Sequence, residues 1–192
     1  MNANDQTIFQ THEDWWHNAC IQNFSVGFSQ LARYYLQSAD ALIERTVDDD
    51  CKLDVYVYAA VFLYRHSVEL LLKELIWRTN FLLGRGKSIP RHHRLIELWQ
   101  VLRSNTCSLL PSHFPLTREE VHAIETLFLE IGKHDPESDA FRYPFDKRMK
   151  RSHPEVMHIN VRTLRNGFNQ IHDYLGRIFY LVEFLYDAQS AI

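Results

Sequence analysis

Glycine and proline are scarce in this chain, six of each among 192 residues, too few for an all-β or a disordered polypeptide and in keeping with a helical one. Cysteine is scarcer still. The three present, Cys20, Cys51 and Cys107, are odd in number, widely spaced and form no CxxC pair, so a disulfide frame and a zinc motif are both excluded and free thiols in a reducing compartment are expected. No uncharged run reaches the roughly 18 residues a membrane span requires, and the polar start Met1-Asn2-Ala3-Asn4-Asp5 lacks the apolar segment of a secretion signal. The expectation is a soluble cytoplasmic protein with no membrane partner. Positive charge is not in excess either: a formal net charge of -3 argues against a protein coated in nucleic acid, although it leaves local basic patches open.

Apolar and aromatic residues are abundant, at 46% and 13% of the chain, and the length suits one domain able to bury roughly 70% of its unfolded surface. The stretch from Tyr58 to Ile76 is apolar nearly all round a helix, as expected of a helix in a protein interior. Its exceptions are Arg65, Glu69 and Lys73. At about 100° per residue they fall within roughly 80° of one another, a narrow polar stripe. Such a stripe is either a ladder of ion pairs one turn apart or a phosphate or nucleotide site. If it is enclosed, partners for the charges must exist elsewhere in the chain, and Arg142 is the candidate to close the ladder on Glu69.

The remaining pattern predicts an all-α fold, an antiparallel bundle of about five main helices. The first is expected over 12–46, starting at Thr11-His12-Glu13-Asp14 and continuing through Trp16, Phe24, Phe28, Leu31, Tyr35 and Leu42, with a possible bend at Gly27. Asp48-Asp49-Asp50 then reads as a solvated turn rather than a metal site. The second runs over 54–83 and ends at Gly84-Arg85-Gly86. The third covers 92–104, and the fourth covers 117–133 behind the capping box Thr117-Arg118-Glu119-Glu120. From 134 to 159 helical periodicity fails, prolines recur, and Arg142, Asp146, Lys147, Arg148, Lys150 and Arg151 give a local charge of about +4. Asn160 caps the last helix, 160–189, whose seam of Val161, Leu164, Phe168, Ile171, Leu175, Ile178, Val182 and Leu185 can pack within the bundle or against a second copy.

Taken in order, three segments resemble the HEPN superfamily of small helical bundles. The helix from Tyr58 to Ile76, with Glu69 and Lys73 one turn apart, looks like the family's central helix. His93-Arg94-Leu95-Ile96-Glu97-Leu98-Trp99 is similar to its His-x-Leu-x-x-Leu segment. Phe141-Arg142-Tyr143-Pro144 is similar to the Arg-Tyr-Pro element before its last helix. The motif positions are thus Arg65, Glu69, Lys73, His93, Trp99 and Tyr143. The resemblance implies a homodimer, and a protein that acts on or binds RNA. That covers a metal-independent ribonuclease of a toxin-antitoxin or phage-defence system, with an antitoxin or other protein partner. It equally covers a noncatalytic module binding nucleotide, RNA or protein.

In the ribonuclease members an Arg precedes a His by a short spacing, usually on a helix. Among four such pairs here, only Arg165 and His172 lie on a predicted helix, where a seven-residue step returns to one face within about 20°. His172 would move a proton of the ribose 2′-hydroxyl or of the leaving oxygen, and Arg165 would hold the phosphate. The alternative is that both flank the seam and cover the core edge with their stems. Lys147, Arg148, Lys150 and Arg151, with Arg142, form either a phosphate-tracking arm beside the stackable rings of Phe141, Tyr143 and Phe145, or a solvated connection. Trp99 and Tyr143 read as core anchors. Adjacent His92 and His93 diverge by about 100° on a helix and do not chelate one ion, so neither a metal nor any other cofactor is expected.

Overall fold

The computed structural model describes residues 8–9, 11–21, 27–46, 52–112, 114–153 and 158–190. Among them are five α-helices and no strand: α1 Phe28–Glu44, α2 Leu53–Leu82, α3 Leu95–Leu109, α4 Arg118–His134 and α5 Val161–Ser190. The fold is an all-α helical bundle. Its axis is α2, which packs against α1, α3 and α5, while α4 closes on α3 and α5. By length and composition α2 could also cross a membrane. In the bundle none of residues 60–76 is exposed, because the other helices cover the apolar circumference.

The helix ends follow local chemistry. Gly84, at φ 70°, ends α2 in a Schellman arrangement: its N–H donates to Phe81 O, and the N–H of Arg85 donates to Asn80 O. Thr117 and Glu120 form the reciprocal capping box of α4. Asn160 Oδ1 accepts from the amides of Arg162 and Thr163 at the start of α5. The α5 seam then packs inside its own bundle, with Phe168, Ile171, Leu175, Ile178 and Val182 buried among Tyr64, Leu72, Leu98, Trp99 and Phe128.

Two helices depart from the sequence reading. The first begins at Phe28 rather than near residue 12, with Gly27 as its extended N-cap instead of a bend. Upstream, among the described residues, there is only one 3-10 turn, Trp15–His17, and Trp16 is 92% exposed. The aromatic spacing there had no bundle surface to bury against, and periodicity without burial does not hold a helix. Phe24, Asp48-Asp49-Asp50, Cys51 and Pro154 lie outside the described residues. The third helix starts at Leu95, because His93 is drawn out of helical geometry by contacts to α2, and continues to Leu109. The expected end was residue 104. Instead Asn105 Nδ2 donates to Thr79 Oγ1 and Asn80 Oδ1 inside the bundle, so tertiary hydrogen bonds sustain a turn that propensity would not.

Candidate functional site

On α2, Arg65 is 1% exposed, Glu69 2% and Lys73 9%, so the polar stripe is enclosed. Glu69 Oε1 accepts from Lys73 Nζ at 2.8 Å and from His93 Nδ1 at 2.8 Å. Its other oxygen faces Arg65 Nη1 at 3.4 Å. Burial alone would raise the Glu69 pKa, but the bonds from Lys73 and His93 outweigh it and hold the carboxyl below its ordinary value. Arg65 is lowered by burial, an effect offset in part by Asp135 and Glu69. Its Nε lies 3.2 Å from Asp135 Oδ2, and its Nη2 donates to His93 O at 2.8 Å.

The partners that close the ladder are therefore His93, from the segment between α2 and α3, and Asp135, the C-cap residue of α4. Arg142 does not reach Glu69. Its guanidinium lies over the rings of Phe62 and Tyr143 at 5.3 and 5.2 Å, where a flat, weakly hydrated cation is well placed.

Residues 135–160 connect α4 to α5, with no helix among those described, and a compact turn stands at their centre. Asp146 Oδ1 accepts from the amides of Arg148 and Lys150, Phe145 pairs with Arg151 in an isolated bridge, and Met149 takes a left-handed φ of 59°. Those amides pull the Asp146 carboxyl below its usual range. Lys147, Arg148, Lys150 and Arg151 all project to solvent, and none forms a salt bridge among the described residues. Tyr143 is 52% exposed, a cavity wall rather than a core anchor, because the turn carries its backbone outside the bundle. Trp99 is fully buried, with its Nε1 donating to Glu125.

Of the cavities along this connection, two border the basic turn. One, of about 500 Å³, is walled by Tyr58, Phe141, Tyr143, Phe145, Arg151 and His153. The other, of about 370 Å³, is walled by His93, Arg142, Tyr143 and Lys147 together with the acidic Glu137, Asp139 and Asp146. The structure thus brings His93, Arg142, Tyr143 and Lys147 to one concave surface, with Glu69, Arg65 and Lys73 directly behind His93.

Arg165 and His172 take different surroundings. Arg165 bonds Asp40 at 2.8 Å and Glu44 at 2.9 Å, both on α1, and these carboxylates raise its pKa against the opposing effect of burial. His172 Nε2 lies 2.8 Å from Ser67 Oγ. Ser67 spends its single hydroxyl hydrogen on Tyr64 O, so the imidazole N–H is the donor to Oγ. Burial pushes the His172 pKa down to about 4, against a small upward pull from Asp40. His172 is thus neutral at neutral pH with its Nε2–H engaged by Ser67, and the guanidinium of Arg165 is engaged by two carboxylates of α1. These contacts join α5 to α1 through Arg165 and α5 to α2 through His172, and they favour packing roles for the expected catalytic pair.

Asp135, Tyr58 and His153 are site residues the sequence reading passed over. Asp40 and Glu44 did carry a signal, two acids one turn apart, which is the natural mate of a basic side chain on a neighbouring helix. No family model, no curated protein and no solved structure matches the chain.

Proposed function

We propose that the chain is a HEPN-like helical module that binds RNA through the surface between α4 and α5, with the bundle serving as a rigid platform. One observation carries this reading. Lys147, Arg148, Lys150 and Arg151, four cations that form no salt bridge among the described residues, stand on a compact turn beside the exposed rings of Tyr143 and Phe145, which are 52% and 43% accessible. Cations track a phosphate backbone and exposed rings stack on unpaired bases, a combination suited to single strands more than to duplexes. The net charge of -3 does not oppose this, because the positive field is local. A toxin-antitoxin or phage-defence setting, with an RNA substrate or a protein antagonist covering the same surface, accords with this proposal.

Fluorescence anisotropy with a labelled single-stranded RNA in EDTA tests it. Wild type should bind with strong salt dependence. The variant with Lys147, Arg148, Lys150 and Arg151 changed to Ala should bind at least tenfold more weakly, its salt slope shallower by about 0.7 for each phosphate no longer neutralised. Equal affinity and slope in the two proteins would remove the assignment.

A further inference from the structure

We infer that the cleft enclosed by α2, α4 and α5 is a binding site for an uncharged, mainly apolar small molecule that carries an oxygen acceptor, a site separate from the basic turn and independent of the RNA-binding reading. The cleft holds about 340 Å³, within the roughly 300–1,000 Å³ of small-molecule pockets. Val61, Arg65, Phe168 and Ile171, all buried, form its floor, and Leu127, Ile131 and Leu164, half-buried, form its sides. The exposed Glu130 and His134 stand at its mouth, where solvent screens charge. Gly167 makes part of this space. It sits inside α5, where glycine costs helix stability relative to alanine, yet no close contact demands it. An added Cβ would meet only Leu127 Cδ2, at 3.6 Å, in ordinary contact. A longer side chain there would enter the cleft.

Charge decides what the cleft accepts. At its buried end both signs are already matched, Arg65 with Glu69 and Asp135, and Glu69 with Lys73. A ligand carboxylate would face Asp135 across the same guanidinium, and a ligand ammonium would stand against Arg65 itself. Either would bring a buried charge without a mate. An uncharged ligand avoids that cost. One donor is left over. The Nε of Arg65 lies 3.2 Å from Asp135 Oδ2 without the alignment of a hydrogen bond, and no group among the described residues accepts from it. A carbonyl or hydroxyl oxygen of the ligand is suited to this edge, while its apolar body lies on Leu127, Ile131 and Leu164. A polar anchor at one end and apolar walls elsewhere are the makeup of a small-molecule site.

The test uses octanamide, octanoate and octylamine, matched in chain length and different in charge, titrated into the full chain near neutral pH and followed by calorimetry and NMR. Octanamide should bind saturably, move the methyl resonances of Val61, Leu127, Ile131 and Leu164, and shift the Nε–H of Arg65. Octanoate and octylamine should bind at least about tenfold more weakly. Gly167→Ala should bind octanamide within about threefold of wild type and melt at a temperature no lower. Gly167→Leu, folded by circular dichroism, should lose at least about tenfold in affinity; where it does not fold, the charge series and the resonance shifts on wild type decide. Absence of saturable octanamide binding, methyl shifts away from the cleft, equal affinity for the three compounds, or binding unchanged in folded Gly167→Leu overturns the inference. None of these readouts involves RNA, so the failure of either reading leaves the other in place.

Discussion

At the scale of single residues, the bundle contains two histidines one might mistake for each other, and burial separates them. His172 is neutral in the folded chain because α2 and α5 strip its water, and its pKa falls to about 4 from an ordinary 6.5. The unfolded chain therefore binds a proton that the folded chain refuses. Stability contributed by this group is complete above about pH 6.5 and is lost as pH falls towards 4. Between pH 7 and pH 5 the loss amounts to roughly 2 kcal/mol. Urea unfolding of wild type and His172→Gln at both pH values should show this difference. His66, whose pKa burial also lowers, is common to the two proteins and cancels. An equal pH dependence in both proteins would refute the assignment of His172 to the core.

Among the helices, the parts written in local chemistry were legible and those depending on distant partners were not. The capping box of α4, the Asn160 cap of α5 and the glycine stop of α2 each need only a few adjacent residues. Replacing Gly84, held at φ 70°, with Ala should lower stability by about 1 kcal/mol, seen as a fall of a few degrees in Tm; no change would mean that the α2 terminus relaxes freely. The stripe on α2 was visible because charges recur at i+4 in an apolar run. Its closure was not, because Asp135 lies 70 positions from Arg65 in sequence and its own neighbourhood reads only as a helix end before Pro136. The same limit governs the site. Sequence spacing puts Arg165 and His172 on one face of α5 but does not say whether that face meets solvent or another helix. His93 was named as a motif position, and only the fold shows its ring fastened to Glu69. The upstream aromatic pattern misled for the complementary reason, since it offered periodicity with nothing to cover it.

For the whole molecule, α5 keeps its seam inward yet turns Tyr180 and Phe184 outward, 74% and 73% exposed. If the chain self-associates as the family resemblance implies, this exposed pair is a candidate contact, and light scattering of wild type beside Tyr180→Ser with Phe184→Ser would show a dimer dissociating to monomer. A monomer in dilute wild type would dispose of the idea. Asp135 bears on the molecule as a whole in another way. One of its oxygens faces the buried guanidinium of Arg65, and the other accepts the amides of Asp139 and Ala140 at the root of the basic connection. Interior and outer surface thus share a single carboxylate, so their free energies are reciprocally linked. Were a polyanion to bind the connection as proposed, it would tighten the core by the amount that a well-formed core favours the polyanion, and thermal stability would become a gauge of occupancy.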